Sequence, residues 1–238
     1  VNDIIVYSPN PRDVEYRLRQ ADWRYANSAT RGDDWVYNNF AVIPELFKYV
    51  ATQKEIPSLE DCARYLWQYK NNSYITENAE PGKGQNALVC VARARTKKLV
   101  MDFYRELHTY GLLSHHMAFG NVRYAKGEDI YRNVDFTAMP SLVMAEVILV
   151  RQPIGIQSAM RSKWDDDQFS KLKAKRKLSQ NRSEDYWDGP LYWLTNKNNP
   201  NVTKAGGCWL FTEQHISELI EQMKPQNEAN IAINSEIV

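Results

Sequence analysis

Through the first third of the chain apolar side chains recur at helical spacing. The stretch Ser8-Pro9-Asn10-Pro11-Arg12-Asp13 predicts a turn that caps a short helix beginning near Asp13, and the polar residues 28–34, with Gly32, close it. Over residues 35–70, Val36, Phe40, Ile43, Phe47 and Val50 keep one face, and Pro57-Ser58-Leu59-Glu60-Asp61 opens a further helix carrying Ala63, Leu66 and Trp67. Residues 71–85 are polar and contain Pro81-Gly82-Lys83-Gly84, a connector without the glycine, lysine and hydroxyl spacing of a phosphate loop.

A long helix is predicted over 87–113, where Leu88, Val91, Leu99, Phe103, Leu107 and Tyr110 share a face and Gly111 supplies a stop. The period then changes to two over 121–125 and 131–137, with Lys126-Gly127-Glu128-Asp129 between them, which predicts a hairpin. Residues 143–150 and 154–160 form a second pair of predicted strands around Pro153. Asp165, Asp166 and Asp167 suit the positive end of a helix dipole and the lysines that follow suit its other end, so a helix is expected over 166–179. Short strands are predicted over 190–195 and 208–211, and Thr212 caps a last helix through Ile216, Leu219, Ile220 and Met223. The fold class that follows is α/β (α+β). A mainly helical region over 1–86 serves recognition or dimerisation, a mixed-sheet core flanked by helices spans 87–225, and a polar tail covers 226–238.

Composition narrows this picture. Of 238 residues 43% are hydrophobic, enough for a sizeable core without staples. Lysine and arginine number 30 against 29 acids, so any nucleic-acid surface must come from local segregation of charge. Cys62, Cys90 and Cys208 are scattered and odd in number, which disfavours a disulfide framework or structural zinc. The longest apolar run, 142–150, is broken by Glu146 and falls short of the roughly 20 residues of a membrane span. With no basic, apolar leader at residue 1, a cytoplasmic location is expected.

The element order from residue 87 onward, together with Asp129-Ile130-Tyr131-Arg132-Asn133-Val134-Asp135-Phe136-Thr137-Ala138 and Ile154-Gly155-Ile156-Gln157-Ser158-Ala159, resembles the PD-(D/E)xK nuclease superfamily. In that family an acid on one strand is followed, after a hairpin, by Glu or Gln, one residue, then Lys. The resemblance implies a Mg²⁺-dependent DNA endonuclease with Asp135 and Gln157 in the first two places. Hydrolysis of a phosphodiester suits a hard cation held by oxygen ligands, beside a basic side chain that stabilises charge at the attacking water. Ala159 stands where the family has lysine, so Lys163, or Arg161 behind it, would supply that cation. Glu146 offers a third carboxylate as a metal ligand, its plainer role being an edge-strand residue facing solvent, and Glu106 occupies the family's place for a helix acid, where surface salt-bridging is the ordinary fate.

Lys171, Lys173, Lys175, Arg176 and Lys177 form a basic run that could track phosphates, or simply a solvated helix face. DNA is the expected partner, and a homodimer is a further expectation. Asp129 fits a turn. His115 and His116 are adjacent and poorly placed to share a metal, and Trp187, Tyr192, Trp193 and Trp209 suit core packing more than base stacking. Two other functions fit the sequence: a non-catalytic nucleic-acid-binding module, in which 95–113 and the hairpin 121–137 make a winged helix, and a structural assembly protein.

Overall fold

The computed structural model describes residues 7–24, 39–68, 94–125, 134–180, 187 and 189–225. The glycine-lysine loop at 81–84, Asp129 and Cys90 lie outside them, as do the side chains of 175–180.

Helix α1 (Pro11–Gln20) starts where Asn10 accepts the amide of Arg12 at 3.0 Å, and proline stands in its first turn, where a missing N–H costs nothing. Helix α2 is Asn39–Gln53 and α3 is Leu59–Gln68. The start of α3 is fixed reciprocally: Ser58 Oγ accepts the Asp61 amide at 3.1 Å while Asp61 Oδ2 accepts the Ser58 amide at 3.0 Å. All three pack on the long helix α4 (Ala94–His115). Gly111 does not end that helix. A Cβ there would stand 2.6 Å from the Pro9 carbonyl oxygen, so the glycine lets the entry to α1 cross α4 at close range, and the chain continues helical to His115.

After α4 come β1 (Phe119–Tyr124) and β2 (Phe136–Pro140), an antiparallel pair as expected, the second beginning later than its sequence pattern. Strand β3 (Ile154–Ala159) pairs antiparallel with β2, and β4 (Leu191–Thr195) pairs parallel with β3, giving a mixed sheet in the order β1-β2-β3-β4. The segment between β2 and β3 corrects the strand expected over 143–150: it is helix α5 (Leu142–Ile148). Its apolar run has no period that separates helix from strand. The Ser141 hydroxyl, accepting the Met144 amide at 3.3 Å, starts the helix, and Leu149 ends it at φ 58°.

Helix α6 (Asp166–Gln180) carries the chain from β3 to β4, as the acidic start and basic continuation predicted. A small hairpin of β5 (Thr203–Ala205) and β6 (Cys208–Leu210) follows, then α7 (Glu213–Met223) with Thr212 as its N-cap. Gly206 and Gly207, at φ 55° and 77°, make the tight turn of that hairpin, whose first strand is too short to show alternation in the sequence.

The molecule is therefore an α+β protein with helices ahead of a mixed sheet. Buried side chains from Val14 on α1 to Met223 on α7 form one cluster, and Phe47 of α2 stacks on Tyr124 of β1 at 3.9 Å with planes 3° apart. Among the described residues no helix is long and apolar enough to cross a membrane.

Candidate functional site at the end of β3

The antiparallel register of β2 and β3 sets Phe136 opposite Ile156 and Thr137 opposite Gly155, so Asp135, one residue ahead of β2, stands beside Gln157. Its backbone is held from both sides: the Asp135 carbonyl accepts from Ala125 at 3.0 Å and its N–H donates to Ile156 at 3.1 Å. The carboxylate is equally fixed. Oδ1 accepts from Gln157 Nε2 at 2.9 Å, and Oδ2 accepts both the amide and the hydroxyl of Ser158 at 2.6 Å. Charge-assisted bonds of this kind contribute roughly 1.5–3 kcal/mol each. Asp135 thus ties the entry of β2 to the end of β3 while lying beside a cleft.

That cleft, of about 340 Å³, is lined by Asp135, Ser158 and Ala159 from the sheet, by Arg105 and Glu106 from α4, and by Arg161 beyond β3. Burial works against the charge on Arg105, but Asp102, at 2.9 Å, with Cys208, Glu106 and Asp135 outweighs it and raises its pKa. Arg161 is positioned by its backbone. The buried Asn196, just past β4, accepts the Arg161 N–H at 3.0 Å and donates to its carbonyl at 2.8 Å, extending the β3–β4 ladder by a side chain. The Trp164 indole donates to the same Asn196 oxygen.

The predicted site residues fare unequally. Asp135 and Gln157 come together, and Asp135 shares the lining of the cleft with Glu106, whereas Gln157 does not line it. Glu146 is not on a strand: it is exposed on α5, paired with Arg151 at 2.6 Å, and does not line the cleft. Lys163 lies exposed in a bend beyond β3 and is not among the lining residues, whereas Arg161 is. Ser158 and Asn196 were missed. Ser158 could have been suspected as the hydroxyl beside Gln157, but Asn196 acts through a strand pairing that no local pattern reveals.

Lys171 and Lys173 lie on α6, whose Leu172 also borders the cleft. Lys171 is paired with Asp167, and Lys173 sits 4.6 Å from the centre of the Phe169 ring. Lys175, Arg176 and Lys177 follow on the same helix, their side chains outside the described residues. Trp193 meets Phe169 edge-on at 5.7 Å, a packing role like the one expected for it.

Asp135 and Glu106 both line the cleft and could offer carboxylate oxygens to a cation, and Gln157, bonded to Asp135 through its Nε2, carries an amide oxygen next to them in the chain of contacts. Gln157 Oε1 is buried without a hydrogen-bond partner, an acceptor that a cation would satisfy. Among the described residues no three His, Cys, Asp or Glu side chains gather to hold a metal. Two carboxylates and an amide suit Mg²⁺, which keeps several waters and takes substrate phosphate oxygens as further ligands.

A larger cleft of about 930 Å³ opens at the C-terminal part of α4, lined by Glu15, His108, His115, His116 and the start of α7. Burial lowers the pKa of His108, although the Glu15 carboxylate at 3.3 Å opposes it, and burial likewise lowers His116 against the pull of Glu213. His116 Nδ1 accepts the Ala118 amide at 3.1 Å.

No protein-family model, curated protein or solved structure matches the chain.

Proposed function

We propose that this protein is a Mg²⁺-dependent DNA endonuclease of the PD-(D/E)xK kind, working at the cleft beside Asp135. One observation carries this reading: Asp135 and Gln157, far apart in sequence, meet at 2.9 Å, and Asp135 lines a cleft together with Glu106 and two arginines. An acid ahead of a central strand, an amide on its neighbour and cations at the rim are the groups that hydrolysis of a phosphodiester needs. The magnesium ion, when bound, polarises the phosphoryl oxygen and makes a bound water more acidic.

The chain's own groups divide the remaining work. Asp135 and Glu106 bring negative charge to hold the cation, and Ser158 and Gln157 keep the Asp135 carboxylate from turning away. Arg161, in place of the lysine absent at Ala159, neutralises charge that builds on the phosphate, with its backbone held by Asn196. The basic continuation of α6, beginning beside the same cleft, gives duplex DNA a sequence-independent track. The hairpin of β1 and β2 favours this over a winged helix, because β2 is an inner strand bonded to β3 and the hairpin is not a free wing.

The test is cleavage of plasmid and oligonucleotide DNA with Mg²⁺ or Mn²⁺. The Asp135→Asn and Glu106→Gln variants should lose cleavage by about 10²-fold or more while keeping most DNA affinity, with thermal melts to confirm folding. Full activity in Asp135→Asn rejects the site. An inactive wild-type chain on every DNA and RNA tried replaces the enzyme with a binding module on the same fold.

A further inference from the structure

The outward face of α5 is apolar where it meets water. Met144, Ala145 and Ile148 are buried, and yet Leu142, Val143, Val147 and Leu149 are 89%, 77%, 44% and 75% exposed. A helix with apolar residues on its outward as well as its inward face is ordinarily covered on both. Three such side chains on two helical turns and a fourth at the C-cap crowd one face, with Glu146 among them, unlike the scattered exposed apolar residues that need no explanation. The patch is also held in place. Ser141 caps one end, and Leu149 closes the other in the left-handed region at φ 58°, which an L side chain adopts only at a cost.

We propose that this face is the apolar centre of an isologous contact between two copies of the chain, an inference independent of the nuclease reading. What selects a second copy is the charge beside the patch. Glu146, one turn from Leu142 and Val143 on the same face, and Arg151, both exposed and 2.6 Å apart, set one acid and one base among the apolar residues. In a two-fold contact every residue of the patch meets the same patch, so Glu146 of each copy can face Arg151 of the other and no charge is left over. A strongly acidic or basic partner would satisfy one of the pair and oppose its neighbour. A lipid surface calls for a cationic rim, which Glu146 cancels. The chain's net charge of +1 offers little repulsion between copies. A stable contact covers about 800 Å² on each side, so the patch is its centre and the polar surface around α5 its rim.

Sedimentation of the full chain over roughly 1–200 μM decides the matter, the range in which a contact of modest area is populated. The wild-type chain should pass from monomer to dimer, and Leu142→Lys with Val147→Lys should raise the dissociation constant at least tenfold with an unchanged circular dichroism spectrum. The charge swap is sharper. Glu146→Arg and Arg151→Glu should each weaken self-association, and an equimolar mixture of the two should form heterodimers, because each acid then meets a base across the two-fold. A wild-type monomer throughout the range overturns the proposal, and binding of that monomer to phosphatidylserine vesicles would assign the face to lipid. A dimer indifferent to both lysine substitutions and to the charge swap also overturns it, by placing the interface elsewhere.

Discussion

The two clefts along α4 differ in a way their sizes do not suggest. The larger one holds three histidines and two glutamates, yet its polar groups serve local structure: His116 holds the turn after α4, and Glu213 stands in the first turn of α7. The smaller one holds the Asp135 carboxylate by three hydrogen bonds from Gln157 and Ser158 of β3, with the backbone of Arg161 fixed through Asn196. Volume measures room, whereas chemistry needs groups held in place before the substrate arrives. The smaller cleft has that property.

The sharpest way to break this contrast is at the rim of the smaller cleft. Arg161→Ala should lower cleavage by about 10²-fold, the scale of removing one charge-stabilising group, while Lys163→Ala leaves the rate within about twofold. Steady-state rates on one DNA substrate compare them, and the opposite ranking would return the role to Lys163.

At the larger cleft a structural change should matter more than a chemical one. Gly111→Ala places a Cβ 2.6 Å from the Pro9 carbonyl, so α1 must move off α4, at a cost of roughly 1–3 kcal/mol in urea unfolding. Cleavage per folded molecule should be unchanged, because the smaller cleft does not touch this crossing.

A smaller effect is expected along α6. Replacing Lys173, Arg176 and Lys177 by alanine should weaken DNA binding regardless of sequence and lower the slope of log K against log salt by roughly 0.9 for each phosphate no longer neutralised. An unchanged slope in a fluorescence-anisotropy titration would leave α6 a solvated helix.

The smallest effect distinguishes the histidines. Burial holds His108 below its ordinary 6.5, so the unfolded chain takes up its proton first as pH falls. Its contribution to stability is complete above about 6.5 and is lost as pH falls through the folded-state value, and His116 adds to it with the same sign. The urea midpoint of the wild-type chain should therefore drop between about pH 7.5 and 5.5. His108→Gln should flatten part of that drop without altering the pH dependence of cleavage.

Much of this arrangement is legible in the chain itself. Alternation around Val122, the acidic start of α6 and the cap at Thr212 are local signals, and they located β1, α6 and α7, whereas the alternation over 131–137 overlaps β2 only at Phe136 and Thr137. The run from Leu142 to Val150 defeated periodicity because almost every position is apolar, so only the serine cap and the left-handed leucine decide between helix and strand. The family resemblance pairs Asp135 with Gln157, and the adjacency of β2 and β3 that brings them together emerges only because 142–148 is a helix and not a strand between them. Arg161 and Asn196 could not be paired from the sequence, since their bond follows from the parallel register of β3 and β4 across the whole of α6.

The glycine turn after β5 has a consequence for how the chain is made. A Cβ at Gly206 would collide with the Leu18 carbonyl, so this hairpin presses directly on the end of α1. On the ribosome α1 emerges on the order of ten seconds or more before the hairpin does, at about 5–20 residues per second. Throughout that interval Val14 and Leu18 lack part of their final cover. The nascent chain therefore carries an incompletely shielded apolar helix until synthesis has passed residue 210, and release or pausing before that point should leave a species that chaperones retain and proteases cut within α1.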